Sequence, residues 1–155
     1  MPSVNTGPAS LVTQQAVAAM TPVNANTPFP QAGQAIRLLG VVKGVSVNAV
    51  GDTAIMPIIN ATRWVPTTVI TANANVTMAT ASIGLYPAAA AGGTAVLATA
   101  VLTGQTSNAF VYIRASGSLS TARTEQSLFV NVGVAVATGT VDLYLYGYDL
   151  SDYTP

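Results

Sequence analysis

The sequence predicts an all-β protein: an antiparallel two-sheet sandwich, preferably a jelly roll, with an extended N-terminal arm. Val and Thr, which branch at Cβ and therefore favour strands over helices, account for 20 residues each. Short apolar runs alternate with turn-forming Gly, Pro, Asn and Ser, and no helical segment separates them, so the strands are expected to pair antiparallel. Because periodicity does not define strand order, an immunoglobulin-like sandwich stays open as an alternative.

The chain is predicted to have one folded domain between an arm and a tail. Residues 1–35 hold five of the nine prolines, and their apolar positions follow no regular period, which is typical of an extended arm. Within the arm, residues 11–20 could form a short helix capped by Thr13, although a helix of this length is marginal in isolation. Residues 36–150 are predicted to form the β-sandwich domain, and residues 151–155 a loose polar tail.

Eight strands are predicted from Ile36 onwards, each bounded by turn residues. They span residues 36–47, 55–59, 63–74, 77–86, 94–102, 110–114, 128–136 and 141–148.

The last two predicted strands have the clearest alternation. In the seventh, every second residue is aliphatic: Leu128, Val130, Val132, Val134 and Val136. In the eighth, Val141, Leu143 and Leu145 alternate with Asp142, Tyr144 and Tyr146. The Thr138-Gly139 turn between them predicts a hairpin that places both aliphatic rows on one core.

Charged residues are sparse, at 6% of the chain, and they cancel to a formal net charge of zero. The few arginines are dispersed, so we expect neither nucleic acid nor a membrane as a partner. A near-neutral surface gives little repulsion between copies, which favours a homo-oligomer.

The chain contains no cysteine and no histidine. It therefore lacks a thiolate nucleophile, the usual general base near neutral pH and the commonest metal ligand. Of the five carboxylates, Glu125 lies in a polar loop and Asp142 at a strand start, so turn chemistry and solubility explain them better than a catalytic carboxylate pair does. Asp149 and Asp152 could ligate Ca²⁺, but they lack the alternating spacing of a calcium loop. We predict a non-enzymatic protein with no catalytic residues, no cofactor and no metal.

Several strings of the sequence resemble the capsid decoration, or cement, proteins of tailed bacteriophages. These strings are residues 63–66 (RWVP), 69–74 (VITANA), 82–86 (SIGLY) and 141–148 (VDLYLYGY). The resemblance extends from Asp52 to Leu150, roughly two-thirds of the chain. It implies a structural virion protein with a β-sandwich or jelly-roll body, made in the host cytoplasm and located on the capsid exterior. There it would bind the major capsid protein, bridge capsid subunits and assemble as a trimer or dimer.

The candidate interface residues centre on a tyrosine face, formed by Tyr144, Tyr146 and Tyr148 on one side of the last strand. Tyrosine is enriched at interfaces because its ring is apolar and its hydroxyl is polar. The same face would suit sugar rings, so the alternative function is a carbohydrate-binding or adhesive subunit of a phage fibre or tail. A third reading has the face covered by the protein's own arm or by a sister subunit. The remaining candidates are Phe29, Arg63 and Trp64.

Overall fold

The computed structural model describes residues 36–116 and 121–151, which contain eight strands and no helix. The strands are β1 (Arg37–Ser46), β2 (Gly51–Pro57), β3 (Trp64–Ala72), β4 (Ser82–Tyr86), β5 (Leu97–Val101), β6 (Val111–Arg114), β7 (Ser127–Val134) and β8 (Thr140–Asp149). The arm predicted for residues 1–35 and the last four residues of the predicted tail lie outside the described residues.

The strands form two four-stranded sheets. Sheet A has the order β1-β8-β3-β6, and sheet B has the order β2-β7-β4-β5. All pairs are antiparallel. Four of them are nested in chain order: β1 pairs with β8, β2 with β7, β3 with β6 and β4 with β5. Two further pairs, β3 with β8 and β4 with β7, complete the sheets. This is the order of an eight-stranded jelly roll, so the predicted fold class is confirmed and the immunoglobulin-like alternative is wrong.

The predicted hairpin between the last two strands is wrong. β7 lies in sheet B between β2 and β4, whereas β8 lies in sheet A between β1 and β3. The turn at Thr138, whose φ is +60°, carries the chain from one sheet to the other. Val47 fixes this turn, since its N–H donates to the Gly139 carbonyl (2.9 Å) and its carbonyl accepts from the Val136 N–H (2.9 Å). The two aliphatic rows therefore face each other across the core instead of lying side by side.

Several strand boundaries also differ from the prediction. β2 begins at Gly51, because residues expected to form a turn pair with β7. β4 begins only at Ser82, since residues 77–81 form no strand. At the end of β7, Val134 leaves the buried row and is 49% exposed, where the pairing of β7 with β4 shifts register.

The core lies between the two sheets and is largely aliphatic. Its members are the inward rows of β7 and β8, the inward residues of the other strands and residues of the connecting loops. Burial of these side chains is the main stabilising contribution, at roughly 25 cal/mol per Å² of apolar surface.

A glycine in β8 allows β3 and β8 to approach closely. Gly147 pairs with Pro66, where the β3–β8 register shifts. A Cβ atom at Gly147 would collide with the Val65 carbonyl oxygen and would lie 2.7 Å from Leu39 Cδ1. No larger residue fits here without moving the β3 backbone.

Replacing Gly147 with Ala should therefore lower the free energy of unfolding by about 1–3 kcal/mol, the usual cost of overpacking. Urea unfolding measures the change. Tyr148→Phe, one residue further along β8, serves as the control and should change stability by less than about 0.5 kcal/mol. Equal stability of Gly147→Ala and the control would contradict the close approach of β3 and β8.

Candidate interaction surface

The outer face of sheet A carries the predicted tyrosine face. β8 is a central strand, and its side chains alternate between buried aliphatic residues and half-buried tyrosines. Tyr144, Tyr146 and Tyr148 therefore share one side of the sheet, as predicted, and they occupy its middle. Strand register extends this side into two rows across the sheet. The rows, read from β1 to β6, are Val41, Tyr144, Ile70 and Tyr112, and Leu38, Tyr146, Thr68 and Arg114.

The β6 edge of this face was not predicted as a site. Phe110, Tyr112 and Arg114, here called the β6 stripe, are all exposed, with Phe110 at 72% and Tyr112 at 67%. The hydroxyl of Thr68 donates to the Tyr112 hydroxyl oxygen at 3.0 Å, which holds this ring against sheet A. The stripe has a period of two, so the alternation of large aromatic and basic residues in the sixth predicted strand was a usable signal. Counting arginines along the chain does not reveal it, because they are dispersed.

A hydrogen-bond network around Asp142 fixes one end of the tyrosine face. The Asp142 carboxylate accepts from Asn73 Nδ2 at 2.8 Å, from the Gly44 N–H at 2.7 Å and from the Tyr144 hydroxyl at 3.4 Å. Partial desolvation, the largest single influence, raises the Asp142 pKa, but these hydrogen bonds and the charge of Lys43 together lower it below its ordinary value. Desolvation and the nearby Asp142 charge raise the pKa of Tyr144. Tyr144 is therefore a neutral hydrogen-bond donor at physiological pH.

Trp64 is not a surface residue. Its side chain is completely buried, and its Nε1–H donates to the Glu125 carbonyl at 3.0 Å. The prediction of Trp64 as an interface residue is wrong, because its side chain points into the core. Arg63, the second of these candidates, has a half-buried side chain. Its backbone carbonyl accepts a hydrogen bond from the Leu150 N–H at 2.7 Å. Phe29 lies outside the described residues.

The acidic residues of the described ranges serve separate structural contacts. Asp149 forms an ion pair with Arg37 at 2.7 Å, and Glu125 forms one with Arg123 at 2.9 Å. The Asp52 carboxylate accepts from Asn131 Nδ2 and from the Ala90 N–H, and these bonds lower its pKa.

Residues 36–116 and 121–151 contain neither a metal-ligand cluster nor a membrane-spanning helix. No group of three or more Asp or Glu side chains in these ranges is placed to hold a metal ion. Asp152, the second residue of the calcium hypothesis, lies outside them. The same ranges contain no helix long and apolar enough to cross a membrane.

No protein-family model matches the sequence, and no curated protein or solved structure matches it.

The network around Asp142 predicts a loss of stability in acid. A carboxylate whose pKa is lower in the folded than in the unfolded protein stabilises the fold above its unfolded pKa, and this contribution disappears as pH falls through the folded pKa. Wild-type protein should therefore lose stability between about pH 6 and about pH 3. Asp142→Asn should be less stable near neutrality and should lose less on acidification.

Urea unfolding at the two pH values tests this prediction. Asp52→Asn removes the other carboxylate with a lowered pKa and shows how much of the pH dependence belongs to each network. An Asp142→Asn variant with the same pH dependence as wild type would contradict a stabilising role for the Asp142 carboxylate.

Proposed function

We propose that this protein is a structural subunit of a tailed-phage virion, binding the outside of the capsid through the outer face of sheet A. It would contact the major capsid protein, act without catalysis and bridge neighbouring capsid subunits as a homo-oligomer. The sequence resemblance and the jelly-roll fold, which viral capsid domains also use, support this proposal by analogy.

The observation that carries the proposal is the placement of the aromatic residues. The described ranges contain eight of them, and only Trp64 belongs to the hydrophobic core. The other seven are half-buried or exposed, and five lie in the tyrosine face or the β6 stripe. Folding of the aliphatic core therefore does not need them. Exposed clusters of large apolar side chains commonly mark interaction surfaces.

The chemistry of this face suits a protein partner. Tyrosine and arginine are enriched among the residues that dominate binding energy, and tyrosine loses little conformational freedom on binding. Leu38 and Ile70 add aliphatic area on the two sides of β8. Because β8 pairs with a strand on each side, the rings project from a rigid platform that is organised before binding.

Bridging requires more than one contact surface. A single sheet face on one copy can attach to one place on a shell, whereas an oligomer presents several equivalent faces. The formal net charge of zero leaves little electrostatic repulsion against such association. A homo-oligomer therefore fits both the chemistry of the chain and the bridging role.

Replacing Tyr146 with Ala should weaken binding to capsids by roughly 30-fold, the effect of losing a residue worth about 2 kcal/mol at the centre of an interface. Co-sedimentation with purified capsids measures the change. Tyr86→Ala is the matched control, since Tyr86 is a half-buried tyrosine of sheet B. Folded Tyr146→Ala protein that binds as well as the control would rule out the tyrosine face as the contact.

A second candidate function is carbohydrate binding by the same face, as in an adhesive fibre or tail subunit. The specific observation in its favour is the group of polar side chains beside Tyr144, where Asp142 and Asn73 offer hydrogen bonds next to an aromatic ring.

Screening the protein against immobilised glycans tests this second candidate. The expected result for a sugar-binding face is saturable binding that Tyr144→Ala reduces at least roughly tenfold, while Tyr86→Ala leaves it unchanged. Absence of binding to every glycan, together with binding to capsids, would decide for the structural role.

A further inference from the structure

β6 differs from the other three edge strands in the described ranges. β1 has two register shifts and carries Lys43, β2 has one shift and ends at Pro57, and β5 pairs irregularly with β4. Proteins prevent edge strands from pairing with other chains by bulges, by charged residues, especially lysine, by proline and by making the strand very short. The β3–β6 register, by contrast, runs without a shift from Thr68 to Thr71. Of these features, the described residues of β6 show only its shortness and one charge, at Arg114.

The free edge of β6 presents the backbone groups of Tyr112 and Arg114. Residues of an antiparallel strand direct their N–H and C=O groups alternately to the two sides. The Ala115 N–H donates to the Thr67 carbonyl at 3.0 Å, which assigns Ala115, Ile113 and Val111 to the β3 side. The groups of Tyr112 and Arg114 therefore point away from sheet A, and β6 has no second neighbouring strand among the described residues.

We propose that two copies of the chain pair antiparallel through β6, around a two-fold axis at Ile113, and join their sheets A into one sheet. Placing the axis at Arg114 would oppose two like charges, which is unfavourable. Placing it at Tyr112 would pair the two Tyr112 residues and leave Arg114 opposite Phe110. An axis at Ile113 sets Tyr112 of each copy opposite Arg114 of the other.

This register is self-complementary. It uses the outward N–H and C=O groups of both residues on each copy, giving about four hydrogen bonds. It also brings a guanidinium beside a tyrosine ring on the outer face twice, by symmetry, which is a favourable cation–π arrangement. The Arg114 side chain is exposed to solvent, and the hydrogen bond from Thr68 holds the Tyr112 ring in place.

This pairing would make the homo-oligomer of the proposed function a two-fold dimer. The inference rests on the proposed function only for the biological role of that dimer. The joined sheet would double the length of the outer face and align two tyrosine faces on one surface. The small contact between short strands predicts a reversible dimer in dilute solution.

Sedimentation equilibrium of the full chain over a dilution series tests the dimer. Wild-type protein is expected to associate reversibly, whereas Tyr112→Arg, which opposes arginines across the axis, should raise the dissociation constant at least about tenfold. The double variant Tyr112→Arg with Arg114→Tyr restores each tyrosine–arginine pair and should recover association. Tyr86→Ala should associate like wild type, and thermal unfolding of each variant verifies folding.

A wild-type protein that stays monomeric at every concentration would overturn the inference, as would Tyr112→Arg that associates as tightly as wild type. A folded double variant that associates as weakly as Tyr112→Arg would overturn the proposed register. Arg114→Pro provides a further test, because proline lacks both the outward N–H and the guanidinium, so it should weaken association while leaving the hydrogen bonds from Ile113 and Ala115 to β3 in place. Capsid binding is measured separately. A dimer that does not bind capsids contradicts only the proposed function, and a monomer that binds them contradicts only this inference.

Discussion

The fold depends on the antiparallel pairing of β8 with β1 on one side and with β3 on the other. These two ladders place the alternating residues of β8 so that Leu143 and Leu145 complete the core while Tyr144 and Tyr146 project outward. A shift of one residue in either ladder would exchange the two sets and bury the tyrosines. The same pairing that closes the core therefore also creates the outer face.

The close approach at Gly147 adjusts this pairing at one end of β8. β3 changes register with β8 at Pro66, and the absence of a Cβ atom at Gly147 lets the two backbones remain in contact there. The shift leaves Val65 opposite Tyr148 on the outer face, although Val65 is itself buried. The irregularity thus occurs at the end of the tyrosine face and leaves its centre regular.

Alternation in the sequence predicted the strands and their buried faces, since a period of two is a local property of the chain. Strand neighbours are not local, so the sequence predicts β7 and β8 side by side although they lie in different sheets. The error for Trp64 has a related cause, because its burial depends on how the two sheets pack around the core and not on its neighbours in the chain. The β6 stripe was detectable from its alternation, but its position at a sheet edge became apparent only from the order of the sheet.

The composition explains how the outer face can be aromatic while the core is aliphatic. Leucine, isoleucine, valine and alanine, with single large residues such as Trp64 and Met56, fill the space between the sheets. The exposed rings then raise the free energy of the isolated subunit in water, and a neutral surface does not prevent copies from associating. Such a surface is most stable when another surface covers it. Regular edge pairing at β6 would place the exposed Tyr112 ring in a closed two-fold contact, whereas uncontrolled contacts between the tyrosine faces would lead to aggregation. The register shifts at the other edges, with Lys43 in β1 and Pro57 in β2, support this distinction, because such features disfavour backbone pairing with another chain.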